Sequence, residues 1–258
     1  MTRNNGQGGW HWMVLTAVLL ASGCAGMLPV EPLPDNYYFW QVHTQDRSDA
    51  DRVIDQRRQP EKLLSFYAVR PGMRVLDLGA GGGYNTELLA RVVGPKGVVY
   101  AQNNRYFLDN FVKGRFDERL KKPEMSNVVH AVREFDDPVP PQARDLDLVT
   151  FNFVYHDTAW LGTDRMKMNR AVFAALKPGG VYIVVDHSGR PGTGISEAKT
   201  LHRIDEGVVR KEVEAAGFKL IAEAGFLRNA GDPRDASVFK PKIPNDEFVL
   251  KFIKPKGG

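Results

Sequence analysis

The 258-residue chain is 43% hydrophobic and 26% charged, which excludes a disordered or fibrous polypeptide and leaves material for one globular domain with an ordinary core. Its formal charge of +4 comes from 35 Lys and Arg scattered among 31 Asp and Glu, not from a basic stripe, so no nucleic-acid partner is expected.

Residues 1–23 read as a leader. A polar start with Arg3 gives way to the apolar run WMVLTAVLL (Trp12 to Leu20) and then to Ala21, Ser22, Gly23 and Cys24. This is the order of a secretory signal, and the run is too short to stay in a membrane as a spanning helix. LASGC also resembles a bacterial lipobox, which implies that Cys24 becomes the lipidated first residue of an exported, membrane-anchored chain; an ordinary cleaved signal with a chance cysteine is the alternative reading. Cys24 is the only cysteine, so no internal disulfide forms.

Residues 24–45 are proline-rich without a helical or alternating period, as in a tether, and residues 46–258 read as one domain with a helical N-terminal extension. A charged helix is expected over about Asp46 to Arg58. Another starts at Pro60, where EKLLSFYAV puts Leu63, Leu64, Tyr67 and Ala68 on one face. The body then alternates: strand RVLDLG, helix TELLARVV, strand GVVYA, a helix near FLDNFVKGRF, strands NVVHAV and LDLVTFNF, helix DRMKMNRAVFAAL, strand VYIVVD, helix DEGVVRKEVEAA, and strands KLIAEAGF and EFVLKFI. Such alternation with nearly continuous apolar strands predicts an α/β fold, a doubly wound and mostly parallel seven-stranded sheet with an antiparallel last strand.

The stretch VLDLGAGGGYNT, residues 75–86, places a glycine loop at the carboxyl edge of the first strand, where open α/β sheets bind ligands. The spacing speaks against a dinucleotide fingerprint, because counting from Gly79 and Gly81 puts the bulky Tyr84 at the third glycine position. Asp77, Gly79, Ala80, Gly81 and Gly83 instead form a D-x-G-x-G-x-G pattern that resembles the class I S-adenosylmethionine-dependent methyltransferases. PEKLLSFYAVRPGMRVLDLGAG and GGGYNTELLARVVGPKGVVYAQNN look like the same family's approach to and exit from the loop, and RAVFAALKPGGVYIVVD resembles its later helix, turn and fifth strand. The resemblance covers roughly residues 58 to 254.

That likeness implies S-adenosyl-L-methionine as cofactor, a small-molecule acceptor, and particular residue roles. Asp77 and the glycine backbone would take the methionine part. Asn103 stands where the family usually has an acidic ribose acceptor, and its neutral amide implies weaker binding. Glu134 falls in the adenine region, while Asp136 and Asp137 read equally as solvated turn acids. Asn152 ends the fourth strand, followed by Phe153, Val154, Tyr155, His156 and Asp157; Asp186 and His187 end the fifth. His156 or His187 is the candidate base, each also readable as a structural residue bonded to a neighbouring loop. His202 can reach the same mouth, with Arg203 as a holder for an anionic substrate. The catechol-type branch of the family holds Mg2+ near the places of Asn152, Asp186 and His187. One carboxylate and a histidine suit that hard ion poorly, so a metal-free mechanism is expected. Tyr37, Tyr38, Phe39, Trp40, Arg57 and Arg58 form either a lid or a docking cluster. Export leaves the cofactor supply unexplained, which keeps open a second reading, a ligand-binding lipoprotein that retains the fold without catalysis.

Overall fold

Seven runs rich in β-branched and aromatic residues set the sheet: β1 (Arg74–Leu78), β2 (Val98–Asn103), β3 (Val128–Val132), β4 (Leu146–Asn152), β5 (Leu176–His187), β6 (Lys219–Ala224) and β7 (Glu247–Ile253). In the computed structural model, which describes residues 1–2, 33–34, 36–239 and 241–256, they order as β3-β2-β1-β4-β5-β7-β6. β1 to β5 run parallel to one another, and β7 runs antiparallel to both β5 and β6. The leader, Cys24 and most of the expected tether lie outside the described residues. No helix among the described residues is long and apolar enough to cross a membrane. Residues 35–258 form one unit, and all that follows concerns it.

Both faces of the central strands are covered, which explains why they read as unbroken apolar runs: Val75, Leu76 and Leu78 of β1 and Leu148, Val149 and Phe151 of β4 are all buried. α4 (Tyr84–Val93) follows β1, α8 (Arg165–Ala175) precedes β5, and α9 (Glu206–Ala215) precedes β6. Three helices come before the sheet, α1 (Tyr37–Val42), α2 (Asp49–Arg58) and α3 (Pro60–Tyr67). α2 starts on Ser48, whose side chain accepts from the Asp51 N–H, and α3 starts on its own Pro60.

Three stretches differ from the sequence reading. Residues 37–42, placed in the aperiodic tether, form α1; its Val42 is buried and the Tyr38 hydroxyl donates to the Val69 carbonyl at 2.8 Å. The helix expected near residues 107–116 is broken into α5 (Arg105–Phe107), a π-turn (Leu108–Val112) and α6 (Arg115–Leu120), because Lys113 and Gly114 adopt φ of 49° and 78°. An unforeseen short helix, α7 (Tyr155–Trp160), follows β4.

The N-terminal helices are fastened by charge. Arg119 of α6 donates to both carboxylate oxygens of Asp51 (2.7 and 2.8 Å) and also bonds Glu87 of α4, which in turn accepts from Arg91 (2.8 Å) and Lys122 (2.9 Å). Glu87 is almost wholly buried, which opposes its charge, yet Lys122, Arg91 and Arg119 outweigh that burial and hold its pKa below the usual 4.5. A carboxylate with a lowered folded pKa contributes stability that is present above its unfolded value and lost as pH falls through the folded one. Glu87→Gln is therefore expected to cost about 2 kcal/mol near neutrality, by leaving Lys122 without a carboxylate among the described residues and Arg91 and Arg119 with one each, and to flatten the loss of stability in acid. Urea denaturation of both proteins across the acid range measures this; parallel pH curves for the two would count against the clamp.

Candidate functional site

Because β1, β2, β4 and β5 are parallel, their carboxyl ends bring Asp77, Asn103, Asn152 and His187 to one edge of the sheet. Two cavities open there. The larger, about 720 Å3, is lined by Asp77, the loop Gly79 to Gly82, Asn152, Phe153 and, from the helices, Arg58, Tyr84 and Asn85.

The loop is pegged to β2. Gly79 N–H donates to the Gln102 side-chain oxygen at 3.0 Å, Ala80 N–H to the Gln102 carbonyl at 2.8 Å, and Gly81 N–H to Asn103 Oδ1 at 2.8 Å. Gly79 has φ of 63°, and a Cβ there would meet the Phe151 ring at 3.0 Å and Val154 at 3.1 Å, so no side chain fits. Gly81, with φ of 57°, has open space above it and needs glycine for its backbone alone. Gly83 caps α4 behind the loop, with its N–H on the Ala80 carbonyl at 2.9 Å, and does not line the cavity.

Asp77 is buried without a cation. Its carboxylate accepts from Asn85 (2.8 Å), Thr86 (2.6 Å) and Thr150 (2.9 Å), and burial pushes its pKa up despite those donors. Asn152 donates through Nδ2 to the Tyr67 hydroxyl at 2.8 Å, while its Oδ1 is buried with no hydrogen-bond partner. Arg58 complements it. Its guanidinium lies 5.1 Å from the Tyr84 ring centre and 4.5 Å from that of Phe153, and its Nε is buried without a partner. Burial, then the adjacent Arg57, lowers its pKa from the arginine range, and arginine stays charged through that shift. Tyr84, the residue that argued against a dinucleotide, donates to Asp55 Oδ1 at 2.5 Å and so props α2 over the loop.

Two expected contacts with the adenosine half are placed differently. Asn103 is fully buried and spends both ends of its amide on Gly81, accepting its N–H and donating to its carbonyl at 3.2 Å; it braces the loop from behind. Glu134 is exposed, 3.5 Å from Asn104, and does not line the cavity. Asp136 and Asp137 pair with Lys167 and Arg133 as turn acids.

The second cavity, about 390 Å3, shares Arg58 and Phe153 with the first and is lined further by Phe107, Phe111, His156, Asp157, His187 and His202, and by Val238, Phe239, Pro241 and Asn245 of the segment before β7. Phe153 forms the partition between the two. Its φ of 61° is strained for an aromatic residue, and it is held by its N–H on the Val185 carbonyl at 2.7 Å and by Arg57 and Arg58 over its ring.

His156 does not end a strand; it sits in the first turn of α7. Asp186 explains this, because one carboxylate oxygen accepts the His156 N–H at 2.8 Å and the other lies 2.7 Å from ring Nδ1. Burial disfavours a charged His156, but Asp186 and Asp157 overcome it and push the pKa up to about 10. His187 donates its backbone N–H to Asp186 at 2.8 Å, and burial lowers its ring pKa, leaving it neutral at neutral pH. Arg203 is not available to a substrate: it is buried and bound to Ser188, Ala236 and Asn245 at 3.0, 2.9 and 3.2 Å. Arg58, Gln102 and Tyr67 had no motif to announce them as site residues; only the position of Arg58 in the aromatic and arginine-rich N-terminal segment hinted at a role.

With this edge defined, comparison with known proteins becomes informative. The family model for protein-L-isoaspartate(D-aspartate) O-methyltransferase matches residues 34–133, which span α1 to β3. A ubiquinone/menaquinone biosynthesis C-methyltransferase from Vibrio vulnificus is 31% identical over 159 residues, 60% of this chain and 58% of the relative, so the chain spans little more than half of that protein. Among solved structures, a SAM-dependent methyltransferase from Aquifex aeolicus superposes with a TM-score of 0.57 at 20% identity, covering 81% of this chain and all of the other. A putative sarcosine dimethylglycine methyltransferase from Galdieria sulphuraria gives 0.57 at 14% identity, over 86% and 98% of the two chains. The protein has the class I methyltransferase fold. These likenesses support S-adenosylmethionine as cofactor, and the larger cavity offers groups that suit its methionyl end, since the buried, unpartnered Arg58 Nε and Asn152 Oδ1 stand beside the glycine loop.

The brace assigned to Asn103 has a measurable weight. Asn103→Ala removes two buried hydrogen bonds and is expected to cost about 2 kcal/mol, a fall in Tm of about 4–8 °C. Thermal unfolding without ligand reads this directly, and an unchanged Tm would return Asn103 to a purely ligand-facing role.

Proposed function

We propose that the protein is an S-adenosylmethionine-dependent methyltransferase with its donor site in the larger cavity and a small, flat, aromatic acceptor in the smaller one. The observation that carries this reading is the pair of unpartnered buried groups of opposite character, Arg58 Nε and Asn152 Oδ1, at the rim of the glycine loop. An α-amino acid brings both complements at once. Arg58 takes its carboxylate, while Asn152 Oδ1 and the negative Asp77 take its ammonium.

The backbone of Gly79 to Gly82 lets the donor lie close along the loop, and Phe153 sets the angle at which it meets the acceptor cavity. When bound, the sulfonium supplies an electrophilic methyl group, and alignment with water excluded does most of the remaining chemistry. Phe107, Phe111, Phe153 and Phe239 offer the faces that a planar ring stacks on. His187, neutral and in the same cavity, takes the proton of a hydroxyl or amine acceptor; a carbon acceptor of the kind named in the Vibrio relative would yield its proton there after transfer. The lipid anchor at Cys24, and with it an exported location, stands as a further part of this proposal.

Calorimetric titration of the protein with S-adenosylmethionine is expected to show one site. Arg58→Met, which keeps bulk and removes the charge, is expected to weaken it by about tenfold or more, the worth of one charge-assisted hydrogen bond. No heat from the wild type, or equal affinity in the variant, would refute the donor site as drawn. Separately, Cys24→Ser is expected to move the protein from the membrane to the soluble fraction; the same distribution for both would remove the anchor.

A further inference from the structure

We propose that His156, Asp157 and His202 are the ligands of a divalent transition-metal ion of the zinc or iron(II) class, bound at the floor of the acceptor cavity. Three atoms carry the inference. His156 Nε2 lies 3.2 Å from His202 Nδ1, His202 Nδ1 lies 3.2 Å from Asp157 Oδ1, and His156 Nε2 lies 3.2 Å from that same oxygen. They form an equilateral triangle, drawn from two separate segments of the chain. Ligands about 2.0–2.1 Å from one ion stand about 2.9–3.4 Å apart, from right-angled to tetrahedral coordination, and the observed side falls inside that span.

Hydrogen bonding alone accounts poorly for the triangle. His156 Nδ1 is committed to Asp186, and Asp157 Oδ1 already accepts from the Trp160 indole at 2.8 Å. Each ring can give one proton to the carboxylate, but the two ring nitrogens then face each other at 3.2 Å with no hydrogen bond between them. A cation shared by the three atoms satisfies all of them.

The surroundings are those of a metal ligand set. Asp186, fully buried, receives the far nitrogen of His156 and so fixes the tautomer that turns Nε2 toward the ion; Trp160 orients Asp157 in the same way. His202 holds its ring in place from a left-handed backbone, φ 55°, with Phe239 packed on it at 4.7 Å. His156 and Asp157 are buried and His202 is partly open, so three protein ligands leave the remaining coordination to the cavity that all three line. Two imidazoles and one carboxylate favour zinc, iron(II) or manganese(II) over Mg2+. The Mg2+ set considered from sequence is disfavoured, since both carboxylate oxygens of Asp186 are spent on His156 and His187. An acceptor oxygen or sulfur that entered the open position would be held facing Phe153 and would lose its proton more readily.

The test needs neither donor nor acceptor. The chain, freed of metal with a chelator and titrated with Co2+, is expected to take up one ion with visible ligand-field bands, and Zn2+ is expected to displace it. Asp157→Asn, which keeps shape and the Trp160 contact, and His202→Gly, which keeps the left-handed backbone, are each expected to weaken uptake at least tenfold, and Asp186→Asn by about tenfold through the oriented histidine. Circular dichroism of each variant confirms folding. Absence of one-to-one uptake, or uptake equal in the wild type, Asp157→Asn and His202→Gly, overturns the site. Because no methyl transfer is read, a negative result here leaves the donor-site proposal standing, and the reverse holds as well.

Discussion

One buried carboxylate hydrogen-bonded by neutral donors governs this edge of the sheet. Asp77 ends β1 and is held by three neutral donors, Asn85 and Thr86 of α4 and Thr150 of β4. Those bonds join three elements at the point where the chain must reverse through the glycine loop, so strand, loop and helix share one fixed corner. Neutral donors lower the cost of burying a carboxylate without cancelling its field, which is why burial still dominates its pKa. The cavity beside it keeps a negative wall facing the cation of Arg58, and a zwitterion is the chemical group that meets both.

That cation comes from outside the sheet. α2 carries Arg58 in its last turn, and its position over the loop is fixed by the Asp51–Arg119–Glu87 network at one end and by Tyr84 and Arg47 on Asp55 at the other. Arg119 also donates to the Gly82 carbonyl at 2.8 Å, so the ion network touches the loop itself. Such pairs add little to net stability when set against apolar packing, but they impose geometry, because removing any member strands a buried charge. The helical extension is in this sense part of the wall of the larger cavity and not a separate appendage.

Strands and the glycine loop were legible because their signals are local. Apolar runs bounded by turns mark β1 to β7, and the spacing of Asp77, Gly79, Gly81 and Gly83 reads as chemistry without any knowledge of the neighbours. What escaped was every feature whose cause lies far along the chain. α7 has no side-chain cap of its own to read, because its N-terminal N–H is satisfied by Asp186, thirty residues on. Asn103 was aligned correctly to the end of β2, yet its role depends on Gly81 curling back within 2.8 Å, which no residue pattern encodes. Arg203 looked free for the opposite reason, since the carbonyls that bury it come from distant loops.

Asp186 repeats on β5 the part that Asp77 plays on β1. A single buried carboxylate receives the backbone N–H of His156, its ring nitrogen, and the backbone N–H of His187, so it caps α7 and orients the one imidazole while fixing the backbone of the other. Phe153 holds a backbone conformation that costs about 1–3 kcal/mol, and the Val185 carbonyl and the guanidinium groups of Arg57 and Arg58 over its ring keep it there. The two compartments differ in chemistry, one lined by Asp77, Asn152 and the glycine loop and one by imidazoles and aromatic faces, with Phe153 and Arg58 common to both. Group transfer between bound partners needs that arrangement, since the two must be held apart in binding and brought into line across one gap.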